Sequence, residues 1–203
     1  MSEFYTIQKQ TEGLYKEKGS KFLAFAYPVQ SEDEIKIIQA DLRKQYYDAR
    51  HHCYAWTLGM DDQAWRANDD GEPAHSAGDP ILGQIRSFEL TNVLVVVIRY
   101  FGGTKLGVGG LINAYKEATA SALSKARKAV IFETREVVMS FPYDRMSTAE
   151  KLIADFEIAV LKRDFQLSCE IVGSLKKDRV NEFIEKTSDL YTMKFKISGH
   201  DCE

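Results

Sequence analysis

The stretch Val93-Leu94-Val95-Val96-Val97-Ile98-Arg99-Tyr100-Phe101-Gly102-Gly103-Thr104-Lys105-Leu106-Gly107-Val108-Gly109-Gly110-Leu111 decides the reading of this chain. It opens on an uninterrupted apolar run, the mark of a strand buried on both faces. The run ends in a loop with five glycines and one lysine. Behind the loop, Leu111, Tyr115, Thr119, Ala122 and Ala126 recur at helical spacing and predict an amphipathic helix over 110–127. Amides at a helix N-terminus favour anions, and glycine lets the backbone approach a ligand closely. The segment therefore offers a phosphate or carboxylate cradle made of Arg99, Gly102, Gly103, Lys105, Gly107, Gly109 and Gly110, with Lys116 one turn further on. The same glycines fit a tight strand-to-helix turn equally well. The known phosphate fingerprints do not match. Lys105 precedes the later glycines, where a P-loop places its lysine after the last one, and Gly107-Val108-Gly109-Gly110 breaks the dinucleotide spacing.

Upstream lies a second dense segment, Asp69-Asp70-Gly71-Glu72-Pro73-Ala74-His75-Ser76-Ala77-Gly78-Asp79-Pro80-Ile81-Leu82-Gly83. Asp69, Asp70, Glu72 and His75 have the chemistry to hold Mg²⁺ beside an anion at the glycine loop, which would make a hydrolase of a small phosphorylated ligand. A turn is the preferred reading, with Asp and Gly for the bend and Pro for rigidity. His51 and His52 adjoin on a predicted strand, so they face opposite sides and cannot share one site; one of them is expected to be exposed. Cys53 reads as a buried structural thiol rather than a nucleophile. No nucleophile elbow or zinc-binding H-E-x-x-H helix occurs. No catalytic set, metal or cofactor is assigned.

Composition narrows the class. The chain has 203 residues, 44% of them hydrophobic and 28% charged, which suits one large or two small globular domains. A net charge of −3 and a pI near 5.9 argue against a generally basic nucleic-acid binder. Local charge is stronger: residues 61–79 carry six acids against one base, and residues 99–128 carry six bases against one acid. Cys53, Cys169 and Cys202 form no C-x-x-C pair, so neither a zinc site nor a disulfide framework is expected, and a reducing cytoplasm is the simplest location. Met1-Ser2-Glu3-Phe4 lacks a signal-peptide pattern, and no apolar run reaches transmembrane length.

The periodicity divides the chain near residue 134. Before it come a hairpin from Leu14 to Val29, a helix capped by Ser31 with Glu34, a strand from His51 to Leu58, a long polar loop over 60–79 and a short helix from Pro80 to about Glu89. After it come a strand from Glu136 to Phe141, a helix capped by Asp144, strands Ile158–Leu161 and Phe165–Val172, a helix over 176–187 and a strand from Tyr191 to Ser198. That order is a β-α-β-β-α-β, ferredoxin-like unit. Alternation turns Phe165, Leu167, Cys169 and Ile171, and Tyr191, Met193, Phe195 and Ile197, toward its helices. The opposite face of these two strands is polar and without aromatics, which disfavours base stacking of the RNA-recognition type there.

The two dense segments together resemble the Impact/YigZ family. Its D-D-G-E-P turn stands at Asp69 to Pro73, its T-A-G-x-P-I-L segment at Ala77-Gly78 and Pro80 to Leu82, and its R-Y-F-G-G-x-K-L-G-x-G-G-L at Arg99 to Leu111. His51-His52-Cys53-Tyr54-Ala55 matches its earlier strand. Ser76 stands where the family often has Thr, and Asn113 where it often has Arg. The resemblance implies an α+β protein. Residues 1–134 would be similar to the second domain of ribosomal protein S-five, and residues 135–203 to a ferredoxin-like domain of elongation factor G. It also implies a non-enzymatic cytoplasmic protein that engages the translation machinery, through a ribosome-associated protein or structured RNA. Eukaryotic relatives act in translational control by binding a ribosome-associated activator of an initiation-factor kinase.

Overall fold

The computed structural model describes residues 4–60, 63–165 and 169–198. The chain divides into two compact units, Met1–Ile131 and Phe132–Glu203. The first runs β1 (Phe4–Ile7), β2 (Thr11–Glu17), β3 (Ser20–Pro28), α1 (Glu32–Gln45), β4 (His51–Leu58), β5 (Ala64–Asn68), α2 (Gly78–Ser87), β6 (Val93–Tyr100), α3 (Gly107–Leu123) and β7 (Lys128–Ile131). Five of its strands form an antiparallel sheet in the order β2-β3-β6-β4-β5, while β1 pairs with β7.

The central place of β6 explains its apolar sequence. Val93, Val95 and Val97 join the cluster built with α2 and α3, and Leu94, Val96 and Ile98 join the cluster built with Ile35 and Leu42 of α1. Both faces are covered, so neither set has polar residues. Ser31 Oγ caps α1 by accepting from the Glu34 N–H, and the Glu34 carboxylate accepts from the Gln30 N–H. Close packing fixes two glycines. A Cβ on Gly13 would lie 2.4 Å from the Ala122 nitrogen, so α3 rests directly on the backbone of β2. A Cβ on Gly102 would lie 1.9 Å from the Gly19 carbonyl carbon, so the loop after β6 rests on the β2–β3 turn.

The second unit runs β8 (Thr134–Phe141), α4 (Met146–Asp155), β9 (Ala159–Phe165), β10 (Cys169–Lys176), α5 (Val180–Thr187) and β11 (Lys194–Ile197). Its sheet is antiparallel in the order β11-β8-β10-β9. Both helices bury Leu152, Phe156 and Phe183 with Val137, Met139, Ile171 and Leu175 of the sheet.

Several boundaries differ from the sequence expectations. The polar stretch 60–79 contains β5, an edge strand with no buried residue and hence no alternation to reveal it. Helix α3 begins at Gly107, three residues before the expected start, so Gly107, Gly109 and Gly110 form its first turn rather than a loop. Asp144 does not cap α4; it sits inside a short 3-10 turn, Tyr143–Arg145, and α4 has no side-chain cap. Phe165 ends β9 and is 47% exposed, so it does not share a strand with Cys169 and Ile171, which are buried on β10. Leu167, with its polar neighbours Gln166 and Ser168, falls outside the described residues. Tyr191 precedes β11 and is exposed, while Met193 and Ile197 are buried. No helix among the described residues is long and apolar enough to cross a membrane.

The two kinds of glycine give opposite mutational expectations. Gly102→Ala forces backbone against backbone and is expected to destabilise by about 1–3 kcal/mol. Gly109→Ala adds a methyl with nothing within 4 Å, inside a helix, and is expected to be neutral or up to about 1 kcal/mol more stable. Thermal melts of the two variants check both signs.

Candidate functional site

The turn Asp69–Glu72 organises the site. Asp70 and Gly71 both take positive φ, at 41° and 86°, and the Glu72 N–H donates to the Asp69 carbonyl at 2.9 Å. Asp-Gly is the pair that a tight turn with two left-handed central residues favours. The three carboxylates then leave in three directions. Asp69 Oδ1 accepts from the Ala77 and Gly78 amides at 2.9 and 2.8 Å, and Oδ2 accepts from the His75 amide at 2.9 Å. Helix α2 has no cap from its own N-cap residue, so Asp69 supplies one from a distance in sequence. Asp70 Oδ2 accepts from the His52 amide at 2.6 Å, and Oδ1 accepts from the Arg43 guanidinium of α1 at 2.8 Å. Glu72 Oε1 accepts from Arg99 Nη1 at 2.7 Å and from the Tyr115 hydroxyl at 2.8 Å.

Arg99 and Glu72 are buried together, with side-chain exposures of 7% and 4%. The guanidinium also lies over the rings of Phe22 and Phe101, at 5.5 and 5.6 Å. Cys53 completes the network: its sulfur lies 3.3 Å from the Tyr115 hydroxyl and 3.0 Å from the Asp69 carbonyl. Burial pushes both the Cys53 thiol and the Tyr115 phenol up, so both stay protonated and neither is a nucleophile. Burial by itself would raise Asp69 and Asp70. The amides around Asp69, and Arg43 with the His52 amide around Asp70, outweigh it and hold both carboxyls below their ordinary value of 3.8.

The remaining motif residues are placed as follows. Ser76 is fully buried and donates to the Pro73 carbonyl at 2.6 Å. His75 is exposed, with Nδ1 2.6 Å from the Asp79 carboxylate. Contrary to the expectation that one of the adjacent histidines is exposed, His52 is buried and His51 is half-buried, its Nδ1 donating to the Asp70 carbonyl at 2.9 Å. Burial, with Arg43 nearby, pushes the His52 imidazole down.

In the glycine segment, the Gly102 amide donates to Ser20 Oγ at 3.1 Å. Gly103, Lys105, Gly107 and Gly109 are exposed, as is Lys116, and no side chain caps α3. Asn113 donates to the Tyr15 hydroxyl at 3.5 Å. Arg99 and Lys105 were grouped by sequence, but the fold separates their roles: Arg99 is held inside by Glu72, and Lys105 stands in solvent. Sequence reasoning missed Tyr115 as a partner of the motif; its helical spacing marked it as core without revealing where its hydroxyl goes. It also missed Arg43. Asp69, Asp70 and Glu72 do not converge on one point, and no cluster of His, Cys, Asp or Glu among the described residues is placed to hold a metal ion.

Two outcomes follow from this geometry. Glu72→Ala leaves a guanidinium buried and unpaired and is expected to cost about 3–5 kcal/mol in urea unfolding, much of it returned by adding Arg99→Met. Asp69 and Asp70 are depressed in the folded state, so their contribution is complete above the ordinary carboxyl value of 3.8 and is lost as pH falls below it. Asp70→Asn is therefore expected to flatten the acid limb of stability against pH.

The Impact N-terminal domain family model matches residues 18–123, which contain the whole of this network. The chain is 30% identical to the IMPACT family member YigZ of Escherichia coli over 174 residues, covering 85% of both chains. It is 36% identical to the protein IMPACT homolog of Saccharomyces cerevisiae over 98 residues, which cover 45% of this chain and 36% of the yeast protein. A crystal structure described as that of a hypothetical protein superposes over 100% of both chains with a TM-score of 0.77 at 27% identity. The family model over residues 18–123 and the bacterial relative together place this chain in the Impact family.

Proposed function

We propose that this protein is a non-enzymatic cytoplasmic binding module that engages the translation machinery, docking a ribosome-associated protein or structured RNA. The observation that carries the reading is a division of labour within the family motif. Asp69, Asp70, Glu72, Ser76 and Arg99 are all bonded internally, while the segment they support stays open: Lys105 and Val108 are exposed around the start of α3. Side chains bonded to one another and to the backbone in this way hold a surface rigid for a partner. The docking set is Gly103, Lys105, Gly107, Gly109, Gly110 and Lys116, with the uncapped amides of α3 favouring an anionic group. Gly102 and Arg99 build its base rather than its face. The translational assignment comes from the family resemblance, as does the S-five-like fold of residues 1–134. The sheet order β11-β8-β10-β9 supports the ferredoxin-like assignment of residues 135–203.

Co-sedimentation with ribosomes from the source cells tests the reading. Lys105→Glu combined with Lys116→Glu is expected to reduce binding several-fold and to flatten its salt dependence by about two charges. Lys194→Glu combined with Lys196→Glu on the second unit is expected to leave binding intact. Loss in the second pair with retention in the first would move the contact to the second unit and overturn the assignment.

A further inference from the structure

The opposite face of the first unit's sheet carries a second feature, to which the family motif contributes only Tyr100 and Phe101. Beyond the area covered by α1, an open groove of about 520 Å³ is lined by Leu14, Lys16, Lys21, Leu23, Tyr100 and Phe101. The register is informative. Lys16 lies directly opposite Lys21, and Lys21 lies directly opposite Tyr100; one step inward, Leu14 faces Leu23. Like charges directly opposite on one sheet face are destabilising. Neither lysine forms an ion pair among the described residues. Glu17, the nearest acid in sequence, points to the other face by strand alternation, where its carboxylate accepts from Tyr15. The lining of the groove contains no carboxylate. The fold therefore keeps two cations side by side over an apolar floor, an arrangement that an anion would relieve.

The wall of the groove adds a second recognition element. Phe101 is 57% exposed, and Arg99 holds one side of its ring from within the protein. Phe101 also lines the groove, which leaves exposed ring surface there on which a flat group can stack. Tyr100 is held alongside by donating to Asp48 at 2.7 Å. Cations in a row beside aromatic rings are the combination that binds single strands, with phosphates on the cations and bases on the rings. An acidic peptide would satisfy the lysines and leave the ring face unused.

We propose that this face binds single-stranded RNA, with one base stacked on Phe101 and the adjoining phosphates on Lys16 and Lys21. The choice of RNA over DNA rests on the translational reading above; the groove, its lysine pair and its ring are independent of it. Fluorescence anisotropy of the full chain with a labelled oligouridylate of about ten nucleotides tests the proposal without ribosomes, so its failure is distinct from a failure to co-sediment. Lys16→Glu is expected to weaken binding at least about ten-fold while holding or raising the melting temperature, because it turns a repulsive cross-strand pair into an attractive one. Lys16→Glu with Lys21→Glu is expected to lower the slope of log affinity against log salt by about 1.4, the value for two phosphates on a single strand. Phe101→Ala is expected to weaken binding about five- to hundred-fold with the slope unchanged, and Phe101→Trp to retain it. Full affinity in Lys16→Glu, a preference for duplex RNA, or equal binding of a polyglutamate peptide would overturn the proposal. Binding of oligothymidylate in place of oligouridylate would overturn the choice of RNA.

Discussion

The buried contact between Glu72 and Arg99 is the constraint on which the first unit depends. A guanidinium 7% exposed and a carboxylate 4% exposed are tolerable only together. Their pairing draws the turn after β5 onto the end of β6, and the Tyr115 hydroxyl ties the same carboxylate to α3. In the same turn, Asp69 holds the start of α2, and Asp70 holds β4 and α1. One short turn thus fastens three helices and two strands. Hydrophobic burial alone would leave the helices free to slide over a uniformly apolar sheet; the directional bonds of the turn give them one position each.

Much of this arrangement was legible in the sequence. The apolar run of β6 marked a central strand, and Asp70-Gly71 marked a turn, because each depends on local chemistry. Cys169 and Ile171, two of the residues that alternation turns inward, likewise marked part of the core of the second unit. The legibility stopped where distant residues decide the outcome. Nothing near Glu72 in sequence says that its partner is Arg99 rather than a metal ion, since a carboxylate suits either. Phe165 and Tyr191 look like core residues by composition, yet strand ends fixed by pairing leave them in solvent. Gly102 fits a ligand cradle by composition; only the position of the β2–β3 turn shows that its backbone also packs closely there, where a Cβ would meet Gly19 and Ser20.

The surfaces left open differ in kind. At the start of α3 the available groups are backbone amides and single lysines, chemistry that recognises anionic shape with little preference among partners. In the groove beside β3 the groups are paired cations and a ring, chemistry that distinguishes a flat stacked group from a folded one. The two lie on opposite faces of the same sheet, and Arg99 serves both, through Glu72 inside and through the ring of Phe101 outside.

The pairing of Glu72 with Arg99 also bears on how such a chain drifts over generations. A lineage that replaces either residue first passes through a form destabilised by about 3–5 kcal/mol, whatever the protein binds. The turn and the strand end are therefore held in place by heredity of the fold even where the partner changes or is lost. A residue held by the fold in this way reports little about the protein's occupation; an exposed lysine such as Lys16 or Lys21, which no buried partner holds, is where a change of trade would be written.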